Sequence, residues 1–312
     1  TPEIPEIMPA TLRNRLAKYE QKRMRYQFKD IPMSAAELVK WVNSLPGPRI
    51  VILNTVQSAA VVAKTYENLF HRHAVEHLST ALTPADREKT FNRIKIRLND
   101  KHDVDWTLVA TSCVEAGVDF SFNTGVREIA SLVSLLQTAG RVNRHTNTRT
   151  ADVWSIILKE DGDLKKHPGL SDSSKVLREM LEDKSTISPI LCTAALKREI
   201  RLAGNFLSTV IKHEEMLQFP QVEKNFRVIA ADTRTVVVGA ELISKLAGHH
   251  PVDWRDIQKS SVQIWGYRLD YLRIPEVERY RGMYKWIYEY DDFIGYMAGI
   301  LKLSNDPNNF IV

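Results

Sequence analysis

The chain has 312 residues, of which 44% are apolar and 26% charged, a composition typical of a folded globular chain and unlike that of a collagen or a disordered segment. Lysine and arginine outnumber aspartate and glutamate by only 43 to 38, so the charge is compatible with a nucleic-acid partner but does not indicate one. Two cysteines exclude a disulfide framework and favour a reducing, cytoplasmic compartment, and without an apolar run of about 20 residues we expect no membrane partner. This length predicts two domains.

Residues 1–48 are predicted to form basic N-terminal connector helices. Lysines and arginines follow a proline-rich start and are interpreted as a solvated helix face, with a nucleic-acid contact or a link from a preceding domain as alternatives. Ser34 has the features of a helix N-cap, with Glu37 at the capping-box position. The helix that follows must end before Pro46, Gly47 and Pro48.

Residues 49–160 alternate between apolar strand patterns and helical patterns. Strands are predicted over 49–54, 75–78, 106–111, 126–130 and 152–158, and helices over 56–70, 84–99 and 131–144. Thr83 followed by Pro84 is typical of a helix start. Strands separated by helices of this length predict an α/β fold with a parallel, doubly wound sheet covered on both faces.

The alternation of strands and helices ends near residue 160. A helical linker is predicted over 161–222, with Pro220 ending its helices, followed by a small α+β C-terminal domain over 223–312. The strands predicted in that domain cover 226–229, 235–238, 261–265 and 285–288. Its many aromatic residues are interpreted as core and inter-domain packing, or alternatively as a stacking wall for single-stranded nucleic acid.

The segment Q-T-A-G-R-V-N-R, which ends at Arg144, contains the most informative polar residues. On a helix over 131–144, Gln137, Arg141 and Arg144 lie at i, i+4 and i+7 and face the same way. Two neighbouring guanidiniums repel, so an anion should lie opposite them, and the planar guanidinium suits phosphate oxygens. Gly140 within such a helix would mark a close backbone approach. The alternative is a surface helix whose arginines pair with nearby carboxylates.

A second polar segment, T-S-C-V-E-A-G-V-D over residues 111–119, follows the third predicted strand of this region. Ligands bind at the carboxyl edge of doubly wound sheets. Thr111 and Ser112 offer hydroxyls and amides to a phosphate, and Gly117 permits a close turn around a ligand. Asp119 can accept a hydrogen bond from a ribose hydroxyl. Taken alone, the segment is equally compatible with an ordinary strand-to-helix loop.

The two segments together resemble motifs V and VI of superfamily 2 helicases, since T-S-x-V-x-x-G-x-D precedes Q-x-x-G-R-x-x-R. The strand over 50–54 with Thr55 resembles the opening of the second RecA-like lobe of these enzymes, and Ser79 with residues 83–87 falls where its next nucleic-acid loop and helix lie. The longer segments E-A-G-V-D-F and L-L-Q-T-A-G-R-V-N-R-H are similar to the CRISPR-associated helicase–nuclease of type I interference systems. The segment over 290–296, Y-D-D followed by G-Y, resembles the end of that family's C-terminal domain.

The resemblance implies a role for each matching residue. Arg141 and Arg144 would be arginine fingers on the γ-phosphate of ATP, and Gln137 would contact that phosphate or the attacking water. Gly117 and Asp119 would line the nucleotide, with Asp119 on the ribose. The phosphates of single-stranded DNA would contact Thr55, Ser79, Arg87, Thr111 and Ser112. ATP and magnesium would be held mainly by a first RecA-like lobe, and further expected partners are an HD nuclease domain and the type I CRISPR surveillance complex.

The sequence also departs from a complete helicase–nuclease. It contains no G-x-x-x-x-G-K-[ST] loop and no acidic pair of the kind that holds magnesium, so the first lobe is not in this sequence. We therefore expect a fragment or a split subunit that is inactive alone as an ATPase and as a nuclease. No metal site is expected, because His102 with Asp103 and the histidines at 71, 73, 77, 249 and 250 are interpreted as surface residues.

Two other classes of function stay open at this point. The chain could be a helicase-like scaffold or nucleic-acid-binding module that never binds ATP. It could also be an unrelated doubly wound enzyme, such as a nucleotide-sugar transferase, which would bind a sugar nucleotide and show no salt-dependent affinity for DNA.

Overall fold

A computed structural model describes residues 8–115, 117–144, 150–183, 186–225, 232–248, 250–278 and 280–304. The helices described are α1 (Ala10–Arg23), α2 (Ala35–Asn43), α3 (Val56–Phe70), α4 (Pro84–Asn99), α5 (Leu132–Ala139), α6 (Ser171–Glu182), α7 (Cys192–Ala203), α8 (Asn205–Glu215), α9 (Phe219–Asn225), α10 (Ala240–Ala247), α11 (Trp254–Lys259), α12 (Gly266–Tyr271) and α13 (Met297–Ser304). The strands described are β1 (Met24–Met33), β2 (Arg49–Ile52), β3 (Val75–Leu78), β4 (Thr107–Ala110), β5 (Thr124–Glu128), β6 (Ala151–Leu158), β7 (Thr233–Val237), β8 (Ser261–Trp265) and β9 (Met283–Lys285). Within this part of the chain, no helix is long and apolar enough to cross a membrane.

The large sheet has six strands in the order β1-β6-β5-β2-β4-β3, and every neighbouring pair is parallel. All of the strands predicted between residues 49 and 160 are present as β2 to β6. The predicted doubly wound parallel sheet is therefore confirmed. Because β2, β4 and β3 are adjacent and parallel, the loops that follow them leave the sheet at the same edge.

The prediction of helices throughout residues 1–48 is wrong for residues 24–33. These residues form β1, a parallel edge strand whose register pairs Met24 with Ala151 and Lys29 with Ile156 of β6. An edge strand tolerates lysine, arginine and proline where a central strand would not, so its sequence resembles a basic connector. The division of the chain into connector, lobe, helical linker and C-terminal domain remains a prediction.

Successive residues of the central strands enter two separate cores. Ile50 and Ile52 pack in the core that also contains α4, α5, α6 and α7, whereas Val51 and Leu53 pack with α2, α3 and α13 on the opposite face. All four side chains are at most 1% exposed. Burial on both faces explains why the sequence here is a continuous apolar run rather than an alternating one. Tyr296 and other C-terminal residues belong to the second of these cores.

Side-chain caps fix the starts of four helices. Ser34 and Glu37 form the predicted capping box, in which Ser34 N–H donates to Glu37 Oε2 at 2.8 Å and this bond lowers the pKa of Glu37. Thr55, Thr83 and Ser131 cap α3, α4 and α5 with their hydroxyl oxygens. Since the caps are local, these helices begin where the sequence predicts.

The region after residue 160 is helical from α6 to α9 and then contains the smaller, three-stranded sheet, in the order β8-β7-β9. Pro220 does not end the helices, because it lies in the first turn of α9, where a missing N–H has no helical partner to lose. The strands predicted at 235–238 and 261–265 are present as β7 and β8, whereas the one predicted at 285–288 is displaced to β9. The strand predicted at 226–229 lies outside the described residues.

Candidate nucleotide and nucleic-acid site

The predicted phosphate contacts lie at the carboxyl ends of three neighbouring strands. Thr55 follows β2, Thr111 and Ser112 follow β4, and Ser79 follows β3. The N–H of Thr111 donates to the carbonyl of Leu78 at 3.3 Å, which extends the pairing of β3 and β4 into their loops. The fold therefore brings these four residues to one edge of the sheet, as the sequence predicts.

Three of these four hydroxyls already have partners within the chain, since Thr111 Oγ1 donates to Cys113 Sγ at 3.5 Å. Thr55 Oγ1 accepts the Ser58 N–H at 3.0 Å and donates to the Ser58 hydroxyl at 2.8 Å. Ser79 is fully buried, and its hydroxyl oxygen accepts the Ala81 N–H at 3.2 Å. The backbone N–H groups of Thr111, Ala81 and Thr83 in the same loops are also hydrogen-bonded within the chain, so the exposed Ser112 is the member of this set most open to a phosphate.

Arg87 lies near the loop that follows β4. Burial raises the pKa of the Cys113 thiol, while a hydrogen bond with Thr111 and the charge of Arg87 oppose that rise. The Nε atom of Arg87 is buried and has no hydrogen-bond partner among the described residues. Ser112 is exposed next to this cluster. Arg87 thus joins the other predicted phosphate contacts at the ends of β3 and β4.

The helix predicted to carry the arginine fingers is shorter than expected. α5 ends at Ala139, and Gly140 is its C-cap rather than a residue within the helix. The chain then pairs with the segment before β5, since Phe122 N–H donates to Arg141 O and Asn143 N–H donates to Phe122 O, both at 2.9 Å. Asn143 adopts a left-handed backbone with φ of 48°. Strand-like pairing therefore replaces the last predicted turns of the helix.

The predicted alignment of Gln137, Arg141 and Arg144 on one helix face is consequently wrong. Gln137 is an exposed residue of α5, whereas both arginines lie beyond the end of the helix. Gly140 does not mark a close approach of two helices, because the nearest atoms to an added Cβ would be backbone atoms of its own turn.

Both arginines nevertheless point toward the same segment, whose described residues are 115 and 117–119 and which we term the β4–β5 loop. Arg141 donates to the carbonyls of Val118 and Glu115, the latter at 2.6 Å. Arg144 forms an ion pair with Asp119 at 2.9 Å and donates to Val118 O at 3.4 Å. Burial lowers the pKa of Arg141, the charge of Arg144 lowers it further, and Asp119 opposes both effects. Pairing with a local carboxylate, the alternative interpretation of the sequence, is thus realised for Arg144.

The outer part of the β4–β5 loop is open to solvent. Gly117 has φ of 75°, which a residue with a side chain would adopt only under strain, and no atom would lie within 4 Å of a Cβ added there. The side chains of Asp119 and Arg144 are 69% and 43% exposed. A ligand that approaches this edge can therefore contact both charged groups without rearrangement of the core.

A buried polar network beneath the β4–β5 loop was not predicted from the sequence. Glu115 and Arg127 form an ion pair at 3.0 Å with side chains only 9% and 3% exposed. Arg127 also donates to Asn54 Oδ1 at 2.5 Å, and Asn54 N–H donates to the Glu128 carboxylate at 2.7 Å. The network joins the ends of β2 and β5 to the base of the loop. Its signal in the sequence is the charged pair Arg127-Glu128 at the end of a strand that is otherwise free of charge.

The charges of this network are held in a desolvated environment. Burial raises the pKa of Glu115 and of Glu128 and lowers that of Arg127, while the attraction between the carboxylates and the guanidinium opposes these shifts. Removing one partner would leave the other charge buried and uncompensated. The network therefore fixes the position of the loop.

The N-terminal region also supports the arginine segment. Arg23, at the end of α1, donates to the carbonyls of Val142 and Asn143 at 2.8 and 3.2 Å, and its guanidinium is also paired with Glu20. Part of the basic character of this region thus has an internal use that sequence spacing does not reveal.

The interpretation of His77 as a surface residue is wrong. It is 1% exposed on β3, and its Nδ1 lies 2.8 Å from Phe293 O. Among the described residues, no group of three or more histidine, cysteine, aspartate or glutamate side chains is arranged to hold a metal ion.

Residues 47–147 match a protein-family model described as the C-terminal region of the CRISPR-associated nuclease/helicase Cas3. A curated relative, the CRISPR-associated nuclease/helicase Cas3 of Haloferax volcanii, is 33% identical over 104 residues. That alignment covers 30% of this chain and 11% of the relative. The family model spans the region that carries the predicted helicase motifs.

Solved structures resemble a larger part of the chain. A structure of a CRISPR-associated protein superposes with a TM-score of 0.61 at 17% identity, covering 88% of this chain and 41% of its own. T. fusca Cas3 with AMPPNP gives a TM-score of 0.58 at 15% identity, covering 85% of this chain and 39% of its own. A chain of a pre-nicking CRISPR RNA-guided surveillance complex gives 0.56 at 14% identity, covering 88% and 44%.

At these identities the solved structures establish a shared fold, and this chain spans less than half the length of each of them. The family match is restricted to the lobe that contains β2 to β5 and α5. The predicted resemblance is therefore confirmed, and the chain is similar to the C-terminal region of the CRISPR-associated nuclease/helicases in sequence over residues 47–147 and in fold over most of its length.

Proposed function

We propose that this chain supplies the second motor lobe and the C-terminal domain of an ATP-dependent, single-stranded DNA translocase and helicase–nuclease of type I CRISPR interference. The observation that carries the proposal is the convergence of Arg141 and Arg144 on the β4–β5 loop. This loop leaves the same edge of the sheet as Thr55, Ser79 and Thr111, which follow β2, β3 and β4. Arginines gathered at the carboxyl edge of a parallel sheet suit a polyanionic ligand.

In this function, Arg144 and Asp119 exchange one partner for another. The guanidinium of Arg144 leaves the carboxylate and contacts γ-phosphate oxygens of ATP, while Asp119 accepts a hydrogen bond from the ribose. Arg141 and Gln137 complete the contacts to the phosphate, and Gly117 keeps the loop clear of the nucleotide. Stabilisation of transferring phosphoryl charge by an arginine finger is worth about 10³–10⁵ in rate. Magnesium and the remaining phosphates are held by a P-loop lobe, which this sequence does not contain.

The nucleic-acid contacts of this function lie at the neighbouring loop ends. Thr55, Ser79, Thr111 and Ser112 line the path of the DNA phosphates, with the exposed Ser112 in direct contact, and Arg87 adds a positive charge. Such contacts position a strand without reading its sequence, and their affinity decreases as salt increases. The further partners in this proposal are the P-loop lobe, an HD nuclease domain and a type I surveillance complex. The structural similarity to a chain of a CRISPR surveillance complex supports that last partner.

The decisive experiment replaces Arg141 and Arg144 with alanine in the presence of a P-loop lobe. We expect ATP turnover with single-stranded DNA to fall by about 10³-fold or more, with DNA affinity largely retained, because arginine fingers act on the phosphoryl group. Arg178→Ala is the matched control, since Arg178 forms an exposed ion pair with Glu182 on α6. Turnover by this chain without a P-loop lobe would contradict the proposal, as would unchanged turnover in the double variant.

The second candidate function is an ATP-independent scaffold or nucleic-acid-binding module. It is favoured by the observation that both arginines are engaged by the chain itself, Arg141 by the Glu115 carbonyl and Arg144 by the Asp119 carboxylate. In that case the double variant would lose DNA or partner binding, and no complex with a P-loop lobe would turn over ATP. The same experiment therefore separates the two functions.

A further inference from the structure

The start of α4 is held by a residue more than two hundred positions away in the sequence. Tyr290 Oη accepts the Thr83 N–H at 3.0 Å and donates to Asp86 Oδ2 at 2.7 Å. The Thr83 hydroxyl donates to the same carboxylate at 2.9 Å, and Lys89 donates to its other oxygen at 3.0 Å. Burial alone would raise the pKa of Asp86, but the hydrogen bonds from Tyr290, Lys89 and Thr83 outweigh it and keep the pKa below its ordinary value.

Tyr290 belongs to residues 290–296, which we term the C-terminal strap. The strap also contacts residues 79–83, the β3–α4 loop, because Tyr296 N–H donates to Ala81 O at 3.2 Å. Gly295 has φ of 66°, and a Cβ added there would collide with the Ala81 carbonyl. Only glycine allows the two backbones to approach this closely.

The docking of the strap continues onto β3 itself. Phe293 O bonds to the buried His77 ring at 2.8 Å, and the Arg72 guanidinium lies 3.8 Å from the centre of the Phe293 ring. The strap therefore contacts β3, the loop after it and the first turn of α4 in succession. Ser79 lies in that loop and Arg87 lies one residue after Asp86, so two of the proposed DNA contacts are carried by the backbone that the strap holds.

We propose that the C-terminal strap, through the Tyr290 hydroxyl and Gly295, is a positioning element that sets the β3–α4 loop and Arg87 for binding single-stranded DNA. This inference rests on the proposed function, because it assigns a role to the strap in the same DNA site. Tyr290 is a positioning residue, because its hydroxyl is committed to Thr83 and Asp86 and acts on DNA only through them. The C-terminal domain thereby controls the affinity of the motor lobe for single-stranded DNA.

A double-mutant cycle tests the inference on the full chain. A fluorescent oligothymidylate is titrated against wild type, Tyr290→Phe, Arg87→Ala and the double variant. We expect Tyr290→Phe to weaken binding, and the double variant to bind about threefold or more tighter than the product of the single effects predicts, because both changes remove the same contact. Tyr288→Phe is the matched control, since the Tyr288 hydroxyl donates to Leu272 O within the C-terminal domain; it should combine with Arg87→Ala multiplicatively.

Glycine variants provide a second arm that does not depend on the hydroxyl. Gly295→Ala and Gly282→Ala impose similar backbone strain, because the two φ angles are 66° and 81°, but only the first introduces a collision with the β3–α4 loop. We expect Gly295→Ala to weaken oligothymidylate binding and Gly282→Ala to leave it unchanged, both compared at a temperature where circular dichroism shows the variants folded.

The outcomes separate this inference from the function on which it rests. If Arg87→Ala leaves DNA affinity unchanged, the proposed DNA site is wrong. If Arg87→Ala weakens binding but its effect is independent of Tyr290→Phe, only the role of the strap is overturned. Equal effects of the two glycine variants would also overturn the strap's role, because strain alone would then explain them.

Discussion

The two ends of the candidate site are held in different ways. The proposed nucleotide side, formed by the β4–β5 loop and the two arginines, is fixed by groups of its own lobe, with the Glu115–Arg127 ion pair below and Arg141 above. The proposed nucleic-acid side, formed by the β3–α4 loop and the start of α4, is fixed by residues of the C-terminal strap. One end is thus a product of local topology, and the other depends on docking of a distant segment.

The two sides can therefore respond differently to a partner. On the proposed nucleotide side, Asp119 and Arg144 form an exposed tip above the buried Glu115–Arg127 ion pair, which we term the buried base of the loop. The residues of the tip can therefore change partners while the loop stays in place. The proposed nucleic-acid side is hydrogen-bonded to the C-terminal strap at Ala81, Thr83 and Asp86, so in the proposed arrangement a displacement of the strap would shift Ser79 and Arg87 together. In the proposed motor, the residues that contact ATP are therefore held by their own lobe, whereas the affinity for DNA depends on the C-terminal domain.

The largest effect on the nucleotide side should follow loss of its buried base. Arg127→Met leaves Glu115 buried without its counter-charge, and breaking such a pair costs about 3–5 kcal/mol of unfolding free energy. Urea denaturation of the wild type and of Arg127→Met measures this difference in unfolding free energy. Arg25→Met is the control, because Arg25 pairs with Asp152 at the sheet edge with its side chain 63% exposed, and we expect only a small loss there. If both variants lost similar amounts of unfolding free energy, the buried Glu115–Arg127 ion pair would not be a special source of stability.

The nucleic-acid side should respond to acid through His77. Burial lowers the pKa of His77 to about 4, and the charge of Arg72 also lowers it, while the Phe293 carbonyl opposes them. An unfolded chain binds the proton near the ordinary pKa of about 6.5, so the folded state loses stability as pH falls from that value toward 4. Between pH 7 and pH 5 this amounts to about 2 kcal/mol.

Urea denaturation at the two pH values checks this expectation against His77→Gln, which cannot titrate. The variant should lose correspondingly less stability on acidification than the wild type does. If both proteins show the same dependence on pH, His77 is not the group responsible. Because His77 contacts the strap, hydrogen exchange at acidic pH should increase in α4 before it increases in α5.

The sequence predicts the sheet well because its signals are local. Apolar runs such as the one around Val51 mark strands buried on both faces, and caps such as Thr83 mark helix starts. The sequence does not reveal β1, because an edge strand shares its polar composition with a connector. Nor does it locate the end of α5, since the pairing of Asn143 with Phe122 is a tertiary interaction that overrides the helical pattern.

The position of the candidate residues at one sheet edge can be predicted from the sequence, whereas the geometry of the two arginines cannot. Strand order, which follows from parallel topology, brings Thr55, Thr111 and Ser79 to one edge. The partners of the arginines depend on where the chain goes after α5, so spacing along an assumed helix gives the wrong arrangement. Contacts across long sequence separations, such as those of Tyr290 with Asp86, have no local signature at all.

The smallest effect is expected at the exposed tip of the nucleotide side. Asp119→Asn removes the partner of Arg144, but both side chains are largely solvated, and exposed ion pairs contribute at most about 1 kcal/mol. Arg141 still holds the backbone of the loop through Val118 and Glu115, so the fold of the site should persist. Urea denaturation of Asp119→Asn should therefore nearly superimpose on that of the wild type. If Asp119→Asn lost nearly as much unfolding free energy as Arg127→Met, the Asp119–Arg144 ion pair would be a main support of the loop. Arg144 could then not leave Asp119 for a phosphate without destabilising the loop.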